Sequence, residues 1–135
     1  MVKYPYTIPG DNVYKPWLPV RLGYRKTHKI MPASVIALID SGADVCFCEK
    51  NLGLWLGAKL TKGETKTFIT ANRGSFEAIK DTLTLYVCGT HYDCPFYFTN
   101  SLPRETPIIL GQRGFFDHFV ISFDLKNKEI EIKIN

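Results

Sequence analysis

Short apolar runs, each broken by turn-forming residues, recur along the whole chain and read as strands rather than helices. Residues 17–22 are largely apolar and predict a strand, with Pro19 pointing to a sheet edge. Residues 34–39 predict a buried strand that runs straight into Asp40, and residues 45–48 a short return strand. Residues 49–57 predict a short helix, with Leu52, Trp55 and Leu56 on one side and Gly57 placed to end it. Residues 65–70 and 75–79 flank Ala71-Asn72-Arg73-Gly74, which reads as a hairpin tip. A second pair, 82–87 and 92–98, is joined across residues 88–91. Then come an apolar run ending on Gly111, a single helical turn at 114–119, and a closing hairpin of 120–123 and 129–134. Pro5, Pro9, Gly10 and Pro16 among Tyr4, Tyr6 and Tyr14 predict an extended arm over residues 1–16, ahead of one domain at 17–135. Many short strands and about one helix imply a mostly β, barrel-like domain.

Length and composition leave this picture in place. A chain of 135 residues with 45% hydrophobic and 22% charged residues suits one soluble domain with a sizeable core. No apolar run approaches the roughly 20 residues of a bilayer-spanning helix, so no membrane partner is expected. The first residues lack the apolar core of a signal peptide, and a cytoplasmic location is expected. The net charge of +4 is densest around Arg21, Arg25, Lys26 and Lys29, where only Tyr24 could stack on a base. No nucleic-acid partner is therefore expected.

Four cysteines, Cys46, Cys48, Cys88 and Cys94, are too few and too irregularly spaced for a disulfide framework. One intervening residue between Cys46 and Cys48 does not suit zinc, so buried reduced thiols are expected, with no metal and no cofactor. Nothing local pairs a cysteine with His28, His91 or His118 as a nucleophile and base.

The candidate chemistry lies in residues 37–44, Ala-Leu-Ile-Asp-Ser-Gly-Ala-Asp. Three apolar residues deliver the Asp40 carboxylate to a tight turn, where Gly42 is expected to take angles closed to other residues. Asp, Ser and Gly all favour turns, so a plain strand-ending turn is the bland alternative. Residues 107–111, Pro-Ile-Ile-Leu-Gly, repeat the design of an apolar run ending on glycine.

Together the two segments resemble the retropepsin-like aspartic proteases. In that family the active-site strand reads apolar-apolar-Asp-Thr/Ser-Gly-Ala, and an apolar-apolar-Gly strand lies beside it. The resemblance implies a small closed barrel with one or two short helices, acting as a homodimer on a peptide or protein substrate. Peptide hydrolysis by carboxylates takes two acids sharing a proton, and this chain has one such turn, so Asp40 must meet its symmetry mate across a two-fold axis.

Further roles follow from the resemblance. Asp40 is catalytic, and Ser41 bonds across the dimer axis. Gly42 brings its amide to the carboxylate, and Ala43 keeps the channel clear. Asp44 reaches substrate backbone or an arginine. Thr70, Ala71, Asn72, Arg73 and Gly74 form a flap that contacts substrate. Ile109, Leu110 and Gly111 form the strand beside the active site.

One departure from the commonest viral pattern stands out. Gln112 follows Gly111, and the arginine comes one place later, at Arg113. An Asp44–Arg113 ion pair and an exposed Arg113 are both open, as are cleft and core positions for Phe68, Ile69 and Phe76. The alternative function is a catalytically silent or latent peptide-binding or dimerisation module on the same fold.

Overall fold

The computed structural model describes residues 2–7, 13–61 and 63–134; Pro9 and Gly10 of the expected arm lie outside the described residues. In chain order the elements are β1 (Val2–Pro5), β2 (Trp17–Tyr24), β3 (Lys29–Ile30), β4 (Val35–Ile39), β5 (Cys46–Glu49) and α1 (Lys50–Trp55). They continue with β6 (Glu64–Ile69), β7 (Ser75–Val87), β8 (Thr90–Thr99), β9 (Ile108–Leu110), β10 (Phe119–Asp124) and β11 (Glu129–Ile134).

Six strands close a barrel. β2 pairs β4, β4 pairs β9, β9 pairs β5, β5 pairs β8, β8 pairs β7, and β7 returns to β2. The alternation of β2 explains its place: Leu18, Val20 and Leu22 are buried while Pro19 and Arg21 face out. Pro19 lies in the half of β2 that pairs β4, and residues 21–23 pair β7. The core around them includes Ala37, Leu83, Leu85, Phe96, Phe98, Ile108, Leu110 and Phe115.

A three-stranded sheet, ordered β1-β11-β10, packs its inner face on the same core. Ile130 and Ile132 are buried within their own subunit, whereas Ile134 is 75% exposed. β1 runs along β11 from Val2↔Ile132 to Pro5↔Glu129.

Helix α1 is shorter than the expected 49–57. The Glu49 carboxylate caps it by accepting from the Asn51 N–H at 2.7 Å, and Gly57 ends it at φ +94. Gly53 lets the helix lie against Phe98, since a Cβ there would stand 2.6 Å from that ring.

Two expectations change. Residues 75–79 and 82–87 form one strand, β7, because Lys80 and Asp81 keep their pairing to Tyr97 and Phe96. Asp81 is held there by the Tyr24 hydroxyl at 2.9 Å. Residues 114–118 form successive turns rather than a helical turn. Gly114 sits at φ +104, and the Phe116 and Asp117 N–H groups reach back to the carbonyls of Gly111 and Gln112.

Candidate active site

Strand β4 ends by handing its ladder to the loop that follows. The Asp40 N–H donates to the Leu110 carbonyl at 2.9 Å, so β9 holds the backbone of the acid itself. The half-buried Asp40 carboxylate then turns back on its own loop. Its Oδ1 accepts from the Gly42 N–H at 2.9 Å, and its carbonyl accepts from the Ala43 N–H at 3.2 Å. The amide of Gly42 thus reaches the carboxylate, but not through special angles. Gly42 is outside the left-handed region; what it supplies is room, since a Cβ would stand 3.2 Å from Asp40 Oδ1.

Just past β9, the chain braces the other side of this loop. A Cβ on Gly111 would stand 2.2 Å from the Val45 carbonyl oxygen and 2.6 Å from that of Ala43, so only glycine passes there. The Gln112 N–H donates to the Ala43 carbonyl at 2.8 Å, and the Arg113 N–H to the Asp44 carbonyl at 3.0 Å. The Gln112 side-chain amide donates to the Ser41 carbonyl at 2.6 Å. Asp44 and Arg113 therefore meet through their backbones. Ser41 and Asp44 are solvent-exposed, and Ala43 is partly buried against the cluster of Val45, Phe47, Ala78 and Tyr97.

The hairpin of β6 and β7 turns at Thr70 to Gly74, the residues expected to form a flap. Thr70 N–H donates to the Gly74 carbonyl at 2.8 Å, and Arg73 N–H to the Thr70 carbonyl at 3.0 Å. Asn72 Oδ1 accepts from the Thr70 hydroxyl and the Gly74 N–H. The residue at positive φ is Arg73, at +67, and not Gly74. Ala71, Asn72, Arg73 and Gly74 are all exposed. A groove of about 610 Å³ runs beside the tip, lined by Thr70, Ala71, Asn72, Gly74, Phe76 and Ser101 among others, and by none of residues 40–44.

The aromatics left open by sequence fall into place here. Phe68 and Phe76 face each other across the hairpin, stacked at 5.5 Å. Phe47 on β5 sets its ring edge-on to both, at 4.9 and 5.7 Å, and Tyr97 meets Phe68 at 5.2 Å. Val45, Ala43 and Ile109 belong to the same apolar cluster, which therefore joins the hairpin just below its tip to the Asp40 loop. Ile69 is different, 82% exposed. The cluster escaped sequence reading, although Phe68 and Phe76 stand symmetrically about the tip.

The remaining reactive groups are engaged elsewhere. Cys46, Cys48 and Cys94 are buried and unbridged. The hydrogen bond that the Cys94 thiol gives to Cys46, then burial, pushes the Cys94 thiol up, and burial does the same to Cys48, so both are poor sources of thiolate. His91 stacks on Tyr86 and His118 on Tyr92. Among the described residues no group of three His, Cys, Asp or Glu side chains could hold a metal ion. In the basic patch, Arg25 pairs with Asp93 at 3.1 Å, Arg21 lies over Tyr86, and Lys29 lies over Trp55. No helix among the described residues is long and apolar enough to cross a membrane.

Compared with solved structures, the fold is similar to the crystal structure of a retropepsin-like aspartic protease from Rickettsia conorii. The alignment covers 98% of this chain and 99% of that one, with a TM-score of 0.64 and 19% sequence identity. The fold is thus retropepsin-like. No protein-family model and no curated protein sequence matches the chain.

Proposed function

We propose that this chain is an aspartic endopeptidase, active as a homodimer, in which Asp40 of each subunit contributes one carboxylate to a shared site. The observation that carries the reading is the Asp40 loop. The carboxylate at the end of a barrel strand is held by its own turn, and the backbone of that turn is held by residues 110–113, on a retropepsin-like fold. One chain supplies one such acid, and acid–base hydrolysis of a peptide takes two. A two-fold axis beside Ser41 would bring the pair together.

In the dimer one carboxylate takes a proton from the attacking water while its protonated partner donates to the scissile carbonyl oxygen. The water oxygen bonds to the carbonyl carbon, and the tetrahedral species collapses with proton transfer to the leaving nitrogen. Substrates are extended peptide segments lying under the β6–β7 hairpin, with Thr70 to Gly74 and Asp44 contributing backbone and side-chain contacts. No metal or organic cofactor enters this scheme. Unbridged cysteines fit action in the reducing cytoplasm.

The test is proteolysis of a diverse unfolded peptide mixture from acidic to neutral pH, read by mass spectrometry, with wild type beside Asp40→Asn. Cleavage by wild type and none by the folded variant is the expected result. Absence of cleavage by a wild type shown to be dimeric would instead leave a silent peptide-binding module.

A further inference from the structure

The loop contains a relay that the proposed chemistry alone does not call for. Gln112 Nε2 donates to the Ser41 carbonyl at 2.6 Å, and the Gly42 N–H donates to Asp40 Oδ1 at 2.9 Å. The Ser41 carbonyl and the Gly42 N–H are the two ends of one peptide unit. That unit is planar and trans, so its C=O and N–H point in opposite directions and turn together. A pull on the carbonyl by Gln112 therefore aims the N–H at the carboxylate on the far side. Each bond also polarises the next, so the donor facing Asp40 is strengthened by the donor behind it.

Gln112 is well placed to act this way. Its own N–H is fixed on the Ala43 carbonyl at 2.8 Å, so backbone and side chain grip the loop at two points. Its amide is a neutral donor. Glutamate, of the same length, would face the Ser41 oxygen with another acceptor.

We infer that Gln112 is a positioning residue for Asp40, acting through the Ser41–Gly42 peptide unit; the kinetic form of this inference rests on the proposed role of Asp40. A residue that merely held the loop in place would lower stability and leave the titration of the reaction alone. A residue that orients the carboxylate's donor moves that titration. Without the pull, the ionised acid is less well stabilised, and the acidic limb of the pH–rate profile moves to higher pH.

The experiment compares wild type with Gln112→Met and Gln112→Glu, which lack the donor, and Gln112→Lys, which keeps an N–H of similar reach. Steady-state kinetics are recorded across pH, together with the Gly42 amide signal in ¹⁵N–¹H spectra. For Met and Glu we expect kcat lower by about three- to tenfold, as for one lost hydrogen bond, with KM changed less. Their acidic limb should rise and the Gly42 amide proton should shift upfield, and Lys should restore both. Wild-type kcat, limb and Gly42 signal in the Met variant would overturn the inference, as would an equal loss in the Lys variant. If wild type cleaves nothing, the protease reading fails by itself, while the Gly42 signal still decides whether Gln112 aims that amide.

Discussion

A methyl group at position 111 would stand 2.2 Å from one backbone oxygen and 2.6 Å from another, neither of which belongs to a side chain that can swing away. At position 42 the nearest atom is the Asp40 carboxylate oxygen at 3.2 Å, which can yield by a small rotation. The two glycines of the site thus differ in kind. Gly111→Ala should cost about 3 kcal/mol or more, since backbone must move, whereas Gly42→Ala should cost about 1 kcal/mol or less. Denaturant titration of the two variants beside wild type measures this, and equal losses would contradict it. Sequence revealed both glycines but misjudged one. Asp-Ser-Gly is a turn pattern that points to unusual angles at Gly42, and its φ is not of that kind. Gln112 was visible only as a departure from a viral pattern. Its bond to Ser41 spans 71 residues, a separation about which no local pattern carries information.

Among the elements, β1 shows how a terminal strand is fastened. Besides its ladder to β11, it places Tyr4 against the main core, beside Cys88 at the tip of the β7–β8 hairpin. Burial first, then the neighbouring Cys88, pushes the Tyr4 phenol up from 10.0 to about 12. The folded state therefore favours the neutral phenol. Its contribution is complete below about pH 10 and is lost as pH rises through about 12. In an alkaline titration followed by the near-ultraviolet absorbance of phenolate, Tyr4 should ionise late, as should Tyr6, Tyr24 and Tyr92, and the backbone signals of β1 should change with the Tyr4 step. Tyr4→Phe should remove one of these late-ionising phenols and the change in β1 that goes with it, and a wild-type β1 unchanged through about pH 12 would contradict the assignment. The short strands and the closing hairpin were legible because alternation and turn residues mark them. The continuity of β7 was not, since Lys80 and Asp81 look like a break until β8 is seen alongside. The helical turn expected after Gly111 was displaced by Gly114, whose φ of +104 a helix cannot hold.

For the whole molecule, the proposed dyad makes activity a property of pairs. Mixing wild type with an equal amount of Asp40→Asn should leave about one quarter of the dimers with two acids, if subunits exchange freely. Specific activity per wild-type chain should fall to about half, and dilution should lower it further. Activity per wild-type chain that ignores both would mean that one subunit suffices. The barrel itself was predictable from strand number and spacing, and the structure adds that β11 has β10 on one side and β1 of the same chain on the other.

The bracing of the Asp40 loop by residues 110–113 also has a consequence for how the protein is made. A ribosome delivers Asp40 long before it delivers Gln112, whose partner Ser41 lies 71 residues back. During that interval the nascent chain holds the acid without the carbonyl clamp and without the β9 ladder that supports it. A chain halted before position 110 would carry the entire Asp-Ser-Gly-Ala motif and its own turn, without the bracing that residues 110–113 supply. The order of synthesis thus withholds the braced loop until the barrel is nearly complete, a safeguard well suited to the proposed endopeptidase.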